Sequence, residues 1–250
     1  MKVIYFVVLL ALLSSSVSAS IDDVMNKANM YYRDNDFNAA IAEYEKLVSE
    51  GYQGASLYYN LGNAYYRIGK LGYAVLYFEK ALKFSPNDED INHNLALANS
   101  RTIDKIDSLP KFFLFEWWES FLALFSLQTW IVISLLIYLL LLIVIALYFL
   151  AGQIVHPRIS FFTGAAVLIV FLISVSVFAI KLNREEKRQE AVIIENSVVV
   201  KLSPDEKGKD GFIVNEGLKI LLEDQIDEWK KIRLPDGKVG WVKRKQIAVI

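Results

Sequence analysis

A chain of 250 residues with 54% hydrophobic side chains and a mean hydropathy of +0.33 carries more apolar surface than a soluble domain of that length, which places it among membrane proteins. The net charge of −1, with 9 basic and 13 acidic side chains over residues 20–110 and 15 against 13 over residues 181–250, argues against a nucleic-acid partner. The absence of cysteine excludes disulfides, thiolate metal sites, cysteine nucleophiles and a lipoprotein anchor.

Residues 1–19 read as a secretory signal peptide. Lys2 precedes the apolar run Val3 to Leu13, and Val17-Ser18-Ala19 puts small side chains at the two positions a signal peptidase reads, so cleavage is expected before Ser20. The domain that follows is then exported.

Residues 20–106 contain an internal repeat of 34 residues. Ala28, Tyr31, Ala40 and Tyr44 stand 34 positions before Gly62, Tyr65, Ala74 and Phe78. The second copy, Tyr58-x-x-Leu61-Gly62-x-x-Tyr65 followed by Ala74, Phe78, Ala81 and Pro86, resembles the tetratricopeptide (TPR) pattern. The spacing has a physical reason: Gly62 and Ala74 are small where helices A and B approach, Tyr65 and Phe78 fill the space around them, and Pro86 stops helix B. The first copy is degenerate, with Lys27 at the usual Leu position and Tyr52 at the Pro position. Asn87-Asp88-Glu89-Asp90 supplies acceptors for a helix start, and Ile91, Leu95 and Ala98 space an apolar stripe behind it, which predicts a capping helix. Two repeats and a cap lie at the lower limit for a solenoid that buries its faces by stacking, so a partner or the membrane surface is expected to complete it.

Residues 107–129 hold Phe112, Phe113, Phe115, Trp117, Trp118, Phe121 and Phe125, a density that suits the headgroup layer of a membrane, with a docking site for another membrane protein as the alternative. Residues 130–150 and 159–180 are free of charge and long enough to cross a hydrocarbon core of about 30 Å, and Gly152 and Pro157 lie in the turn between them. They predict a transmembrane hairpin. Two buried helices of a soluble protein would need an enclosing shell of amphipathic helices that the chain lacks. An exported first domain, an inward crossing and a return leave both soluble parts outside. The cations disagree: Arg158 stands in the turn with His156, whereas Lys181, Arg184, Lys187 and Arg188 cluster beyond the second span, and positive-inside counting alone would invert the hairpin. The signal segment outweighs that count, because large domains translocate largely regardless of charge.

After a linker at 181–190, residues 191–250 alternate. Val198, Val200 and Leu202, then Leu218, Ile220 and Leu222, then Ile232 and Leu234, then Val239 and Trp241 mark short strands, and Pro235-Asp236-Gly237 signals a hairpin. Five or six strands in this length predict a small all-β barrel. Glu216-Gly217-Leu218, Trp229, Asp236-Gly237 and above all Gly240-Trp241-Val242 resemble the bacterial SH3-like (SH3b) family.

The two histidines, His93 and His156, belong to no catalytic triad or metal-ligand spacing, and no glycine loop follows a strand. No enzyme, cofactor or metal site is expected. Asp88 to Asp90 is a helix start rather than a cation loop, since it lacks the alternating ligands and glycine of one. Helix A residues one turn apart face the concave groove of TPR units. That groove would present Asn29, Tyr32 and Arg33 from the first repeat, Tyr59, Asn63, Tyr66 and Arg67 from the second, and His93 with Asn94 from the cap. Amides there suit a peptide backbone and arginines a carboxylate; the alternative is a solvated polar face. Trp229 and Trp241 are candidates for an SH3b ligand surface, with barrel core as the alternative.

The order of signal peptide, TPR unit, aromatic segment, hairpin and terminal SH3b domain resembles the BatE family, the TPR member of the aerotolerance (Bat) operon. The most specific stretches are 57–66, 87–95 and Phe115-Glu116-Trp117-Trp118. The resemblance implies an inner-membrane envelope protein working beside other Bat-operon membrane proteins in oxidative stress tolerance, with no catalytic residue. The reading is therefore a multidomain membrane protein of all-α TPR solenoid, two-helix hairpin and all-β SH3-like barrel. It acts as a non-enzymatic adaptor for proteins or peptides, with both soluble domains periplasmic. The alternative is a peptidoglycan-binding protein held by the hairpin.

Overall fold

The computed structural model describes residues 22–106, 112–150, 157–187 and 189–250. The expected signal peptide and the turn at 151–156 lie outside the described residues. The chain divides into two compact units, one built from the segments up to Leu82, Asp88–Ser108 and Glu190–Ile250, the other from Lys83–Asn87 and Leu109–Gln189.

The first unit begins with five helices: α1 (residues 22–33), α2 (Phe37–Ser49), α3 (Ala55–Arg67), α4 (Leu71–Phe84) and α5 (Glu89–Arg101). The repeat positions explain the pairing of α3 with α4. A Cβ on Gly62 would lie 2.7 Å from Cδ1 and Cε1 of Phe78, so only glycine lets the helices approach this closely. Ala28, Ala40, Ala74 and Ala81 are fully buried, with Tyr44 and Phe78 filling the equivalent space in the two repeats. The turns repeat as well. Asn35 between α1 and α2 and Gly69 between α3 and α4 stand 34 apart and both take the left-handed conformation, φ +64° and +76°. Asp36 caps α2 by accepting from the Ala39 N–H at 3.1 Å, and Asp88 caps α5 by accepting from Asp90 and Ile91.

The same unit contains an antiparallel sheet of seven strands among the described residues: β1 (Glu190–Ile193), β2 (Ser197–Lys201), β3 (Asp210–Asn215), β4 (Lys219–Ile226), β5 (Trp229–Arg233), β6 (Val239–Lys243) and β7 (Ile247–Val249). Their order is β3-β2-β6-β5-β4-β1-β7. The sequence reading expected five or six strands. β1 is buried on consecutive residues and so shows no alternation, and β7 has three residues. Bulges at Val200/Lys201 and Leu222/Asp224 bend β2 and β4. Ile193, Val198, Val200, Val214, Ile232 and Val242 form the core. Gly240 is required in its tripeptide, since a Cβ there would meet Val200 Cγ1 at 2.4 Å.

Helices and sheet in this unit are in direct contact, which the sequence reading treated as two separate domains. A Cβ on Gly72 would lie 2.7 Å from the Ile193 carbonyl oxygen, and one on Gly217 would lie 2.4 Å from Thr102 Cγ2. Asp104 accepts from the Asn215 backbone N–H at 2.6 Å and from its Nδ2 at 3.0 Å. Lys219 Nζ stands 2.8 Å from both Glu79 and Glu190. The sheet thus supplies packing surface to a short solenoid.

In the second unit, α6 (Phe113–Ala123), α7 (Leu127–Leu150) and α8 (Pro157–Lys187) follow one another. Ser126 starts α7, its Oγ accepting from the Thr129 N–H at 3.2 Å. Leu127–Phe149 and Phe161–Arg184 are long and apolar enough to cross a membrane, with mean hydropathy 3.1 and 2.6. The second helix runs to Lys187, past the expected end at Ile180, because Lys, Arg and Glu are good helix formers that continue the turn once apolar residues cease. Ser134 and Ser174 share a hydrogen bond of 2.7 Å between α7 and α8. The aromatic segment has become α6, fixed at two points to α8: Arg184 Nη1 reaches both carboxylate oxygens of Glu119 at 2.8 Å, and Lys181 Nζ donates to the carbonyls of Leu122 (3.0 Å) and Phe125. Leu122, Trp130 and Val177 pack beneath these bonds with Trp118 and Phe121.

Candidate functional site

The helix A residues singled out in the sequence are α1, α3 and α5 residues, and their amides form a regular pattern. Asn29 Oδ1 accepts from Asn60 Nδ2 at 3.1 Å and from the Tyr44 hydroxyl at 2.6 Å. One repeat later, Asn63 Oδ1 accepts from Asn94 Nδ2 at 2.8 Å. Donors and acceptors are each 34 residues apart, so one amide pair ties every helix A to the next. Asn94 also donates to the Tyr59 hydroxyl at 3.1 Å, and Tyr59 lies against Phe78. The amides expected to meet a peptide therefore spend part of their hydrogen-bonding capacity on stacking the repeats. Asn60 belongs to this set and was not among the expected residues, although its 34-residue spacing from Asn94 was available to find it.

Tyr32 meets Phe37 edge-on at 5.3 Å, and the Arg67 guanidinium lies over the same Phe37 ring at 4.5 Å while donating to Asn35 Oδ1 at 3.3 Å. Arg101, also missed, lies over the Tyr66 ring at 4.6 Å. The Tyr66 hydroxyl is buried without a hydrogen-bond partner among the described residues. Arg33 and His93 are exposed. Burial pushes the Tyr44 hydroxyl up to about 12, with Tyr32 adding to the rise and Asn60 opposing it. Burial and the hydrogen bond to Glu45 push Tyr65 up, and burial with Glu45 nearby does the same to Tyr77. These phenols stay neutral and act as hydrogen-bonding groups within the helical segment.

On the sheet, Trp229 pairs with Lys243 and Trp241 with Lys231 across β5 and β6. Strand alternation then puts both tryptophans on the face opposite Ile232 and Val242. They are nonetheless only 7% and 9% exposed, and Lys243 lies over the Trp229 ring at 5.6 Å. Lys243 is held charged by its hydrogen bond to Glu206. Among the described residues no group of three or more His, Cys, Asp or Glu is placed to hold a metal ion.

A comparison with curated proteins found no match. The tetratricopeptide repeat family profile matches residues 25–89, which spans α1 to the start of α5. The 34-residue period, the Gly62–Phe78 approach and this match agree that the chain contains tetratricopeptide repeats.

Proposed function

We propose that the protein is a non-enzymatic adaptor of a bacterial inner membrane that recruits proteins or peptides through the exposed helix A face. In this reading α7 and α8 span the bilayer, and the sheet closes as an SH3-like barrel beside the repeats in the periplasm. The observation that carries it is the tetratricopeptide match itself, because such repeats generally mediate protein–protein contacts and are typically non-catalytic. The BatE resemblance supports a place in an envelope complex of Bat-operon membrane proteins linked to oxidative stress tolerance.

Co-purification from detergent tests the adaptor role. Tyr59→Ala with Asn63→Ala removes two side chains of the helix A face, and a thermal melt monitors the fold. Loss of partners seen with the wild type is expected; retention of every partner by a folded variant removes the face from the mechanism. A second reading, attachment to peptidoglycan through the sheet, rests on the SH3b resemblance of Gly240-Trp241-Val242, although Trp229 and Trp241 are only 7% and 9% exposed. Sedimentation of the full chain with purified wall material, compared with Trp241→Ala, separates the two.

A further inference from the structure

We infer that Arg33, Arg67 and Arg101 form an anion rail that selects an extended acidic segment as the partner of the helix A face. The inference rests on that face being the binding surface. The three residues stand 34 positions apart, at the last turn of α1, α3 and α5, so one guanidinium recurs per repeat. All three are exposed, and no carboxylate pairs with any of them among the described residues. Two are already positioned. Arg67 lies over Phe37 at 4.5 Å, steadied by Asn35, and Arg101 lies over Tyr66 at 4.6 Å. A guanidinium held over a ring has lost part of its freedom before a ligand arrives and keeps N–H groups for a carboxylate. This preorganisation lowers the entropy lost on binding.

The surrounding charge chooses between anions. With 9 basic against 13 acidic residues over 20–110, the helical segment repels a long polyanion, whereas discrete carboxylates matched to three guanidinium groups gain locally. Spacing narrows the partner further. The amide pairs Asn29–Asn60 and Asn63–Asn94 show that consecutive A helices pack directly, which sets their axes about 8–10 Å apart. A chain extended as polyproline II advances about 3.1 Å per residue with three residues per turn, so acidic residues three apart share one face and keep step with the rail.

The test uses the full chain in detergent and two fluorescein-labelled nine-residue peptides in a Gly/Ser background, one with Glu at positions 2, 5 and 8 and the other with Gln there. Anisotropy should show the Glu peptide binding roughly tenfold tighter than the Gln peptide, and Arg101→Gln should weaken it roughly threefold to tenfold. Arg101→Lys should restore only part of the loss, since an ammonium lacks the planar fork. Equal binding of the two peptides, or Arg101→Gln within about twofold of wild type, overturns the rail. If both peptides bind alike and Tyr59→Ala with Asn63→Ala weakens both, the helix A face stands and the rail falls. If neither peptide binds, the rail falls, and the co-purification still reports on the face.

Discussion

Glu216 Oε2 accepts from the backbone N–H of Gly72 at 3.1 Å, so a residue from the sheet caps the N-terminus of α4. The chain before α4 offers Lys70, which has no acceptor for the orphan N–H groups of the first turn. The cap comes instead from a residue 144 positions away. It stands beside a close backbone approach, Gly72 against Ile193.

Gly72→Ala should therefore destabilise the first unit by roughly 1–3 kcal/mol, because the new Cβ meets backbone at 2.7 Å and not a side chain that can turn away. Glu216→Ala should cost about 0.5–2 kcal/mol as a lost cap. Gly54→Ala is the comparison: its backbone is extended and nothing lies within 4 Å of the added Cβ, so its cost should be limited to the roughly 0.5–1 kcal/mol by which alanine is a poorer N-cap for α3. Denaturant melts of the three variants read the order directly. Equal stability of Gly72→Ala and Gly54→Ala would show that the sheet does not rest on α4.

Lys219 gives this contact a pH signature. Burial works against its charge, but Glu79 and Glu190 outweigh burial and raise its pKa above the ordinary 10.5. A base with a raised folded pKa contributes stability that is full below its unfolded value and is lost as pH rises through the folded value. The advantage of wild type over Lys219→Met should thus be constant up to about pH 10 and shrink above it. Its size should be about 1–2 kcal/mol, less than a fully buried pair because the Lys219 side chain keeps 38% of its exposure. An advantage that grows above pH 10.5 would contradict the assignment.

The repeats were legible because each signature position is decided by a local requirement that recurs. Gly62 must be small against Phe78, and residues 35 and 69 must accept a left-handed turn, so the 34-residue period survives even where Lys27 and Tyr52 depart from the pattern. The expected residues on α1, α3 and α5 follow the same period, and so do Asn60, 34 residues before Asn94, and Arg101, 34 residues after Arg67. β1 was hidden for a different reason. Ala191, Val192 and Ile193 are all fully buried, so no alternation marks the strand. The contact of sheet with helices left no sequence trace, since Gly72–Glu216 and Asp104–Asn215 join residues more than a hundred positions apart.

Helix α6 should depend on Glu119 and Lys181 more than on its own propensity. Its aromatic residues are weak helix formers, and its C-terminal carbonyls take donors from Lys181. Glu119→Gln with Lys181→Gln should raise hydrogen exchange over Phe113–Ala123 by about fivefold while α7 keeps its protection. Unchanged exchange over α6 would assign its order to the Leu122–Trp130–Val177 packing alone.

These bonds also bear on orientation. Lys181 and Arg184 are two of the four cations that set positive-inside counting against the signal segment, and both are committed to α6. They have a folded-state role on whichever side they lie, which weakens the count as evidence for an inverted hairpin. Single cysteines decide the matter cleanly in a chain that has none. Ser56→Cys, Gly152→Cys and Lys207→Cys place probes in the repeats, between the two apolar segments and in the β2–β3 loop. Lys207 suits the probe better than its neighbour Gly208, where a Cβ would lie 2.5 Å from Ser203 Oγ and 2.9 Å from the Asp205 carbonyl oxygen. In spheroplasts, a membrane-impermeant maleimide should label Ser56→Cys and Lys207→Cys and leave Gly152→Cys protected until lysis. Labelling of Gly152→Cys alone would put repeats and sheet in the cytoplasm. That outcome would remove peptidoglycan as a ligand and move the search for an acidic partner inside the cell.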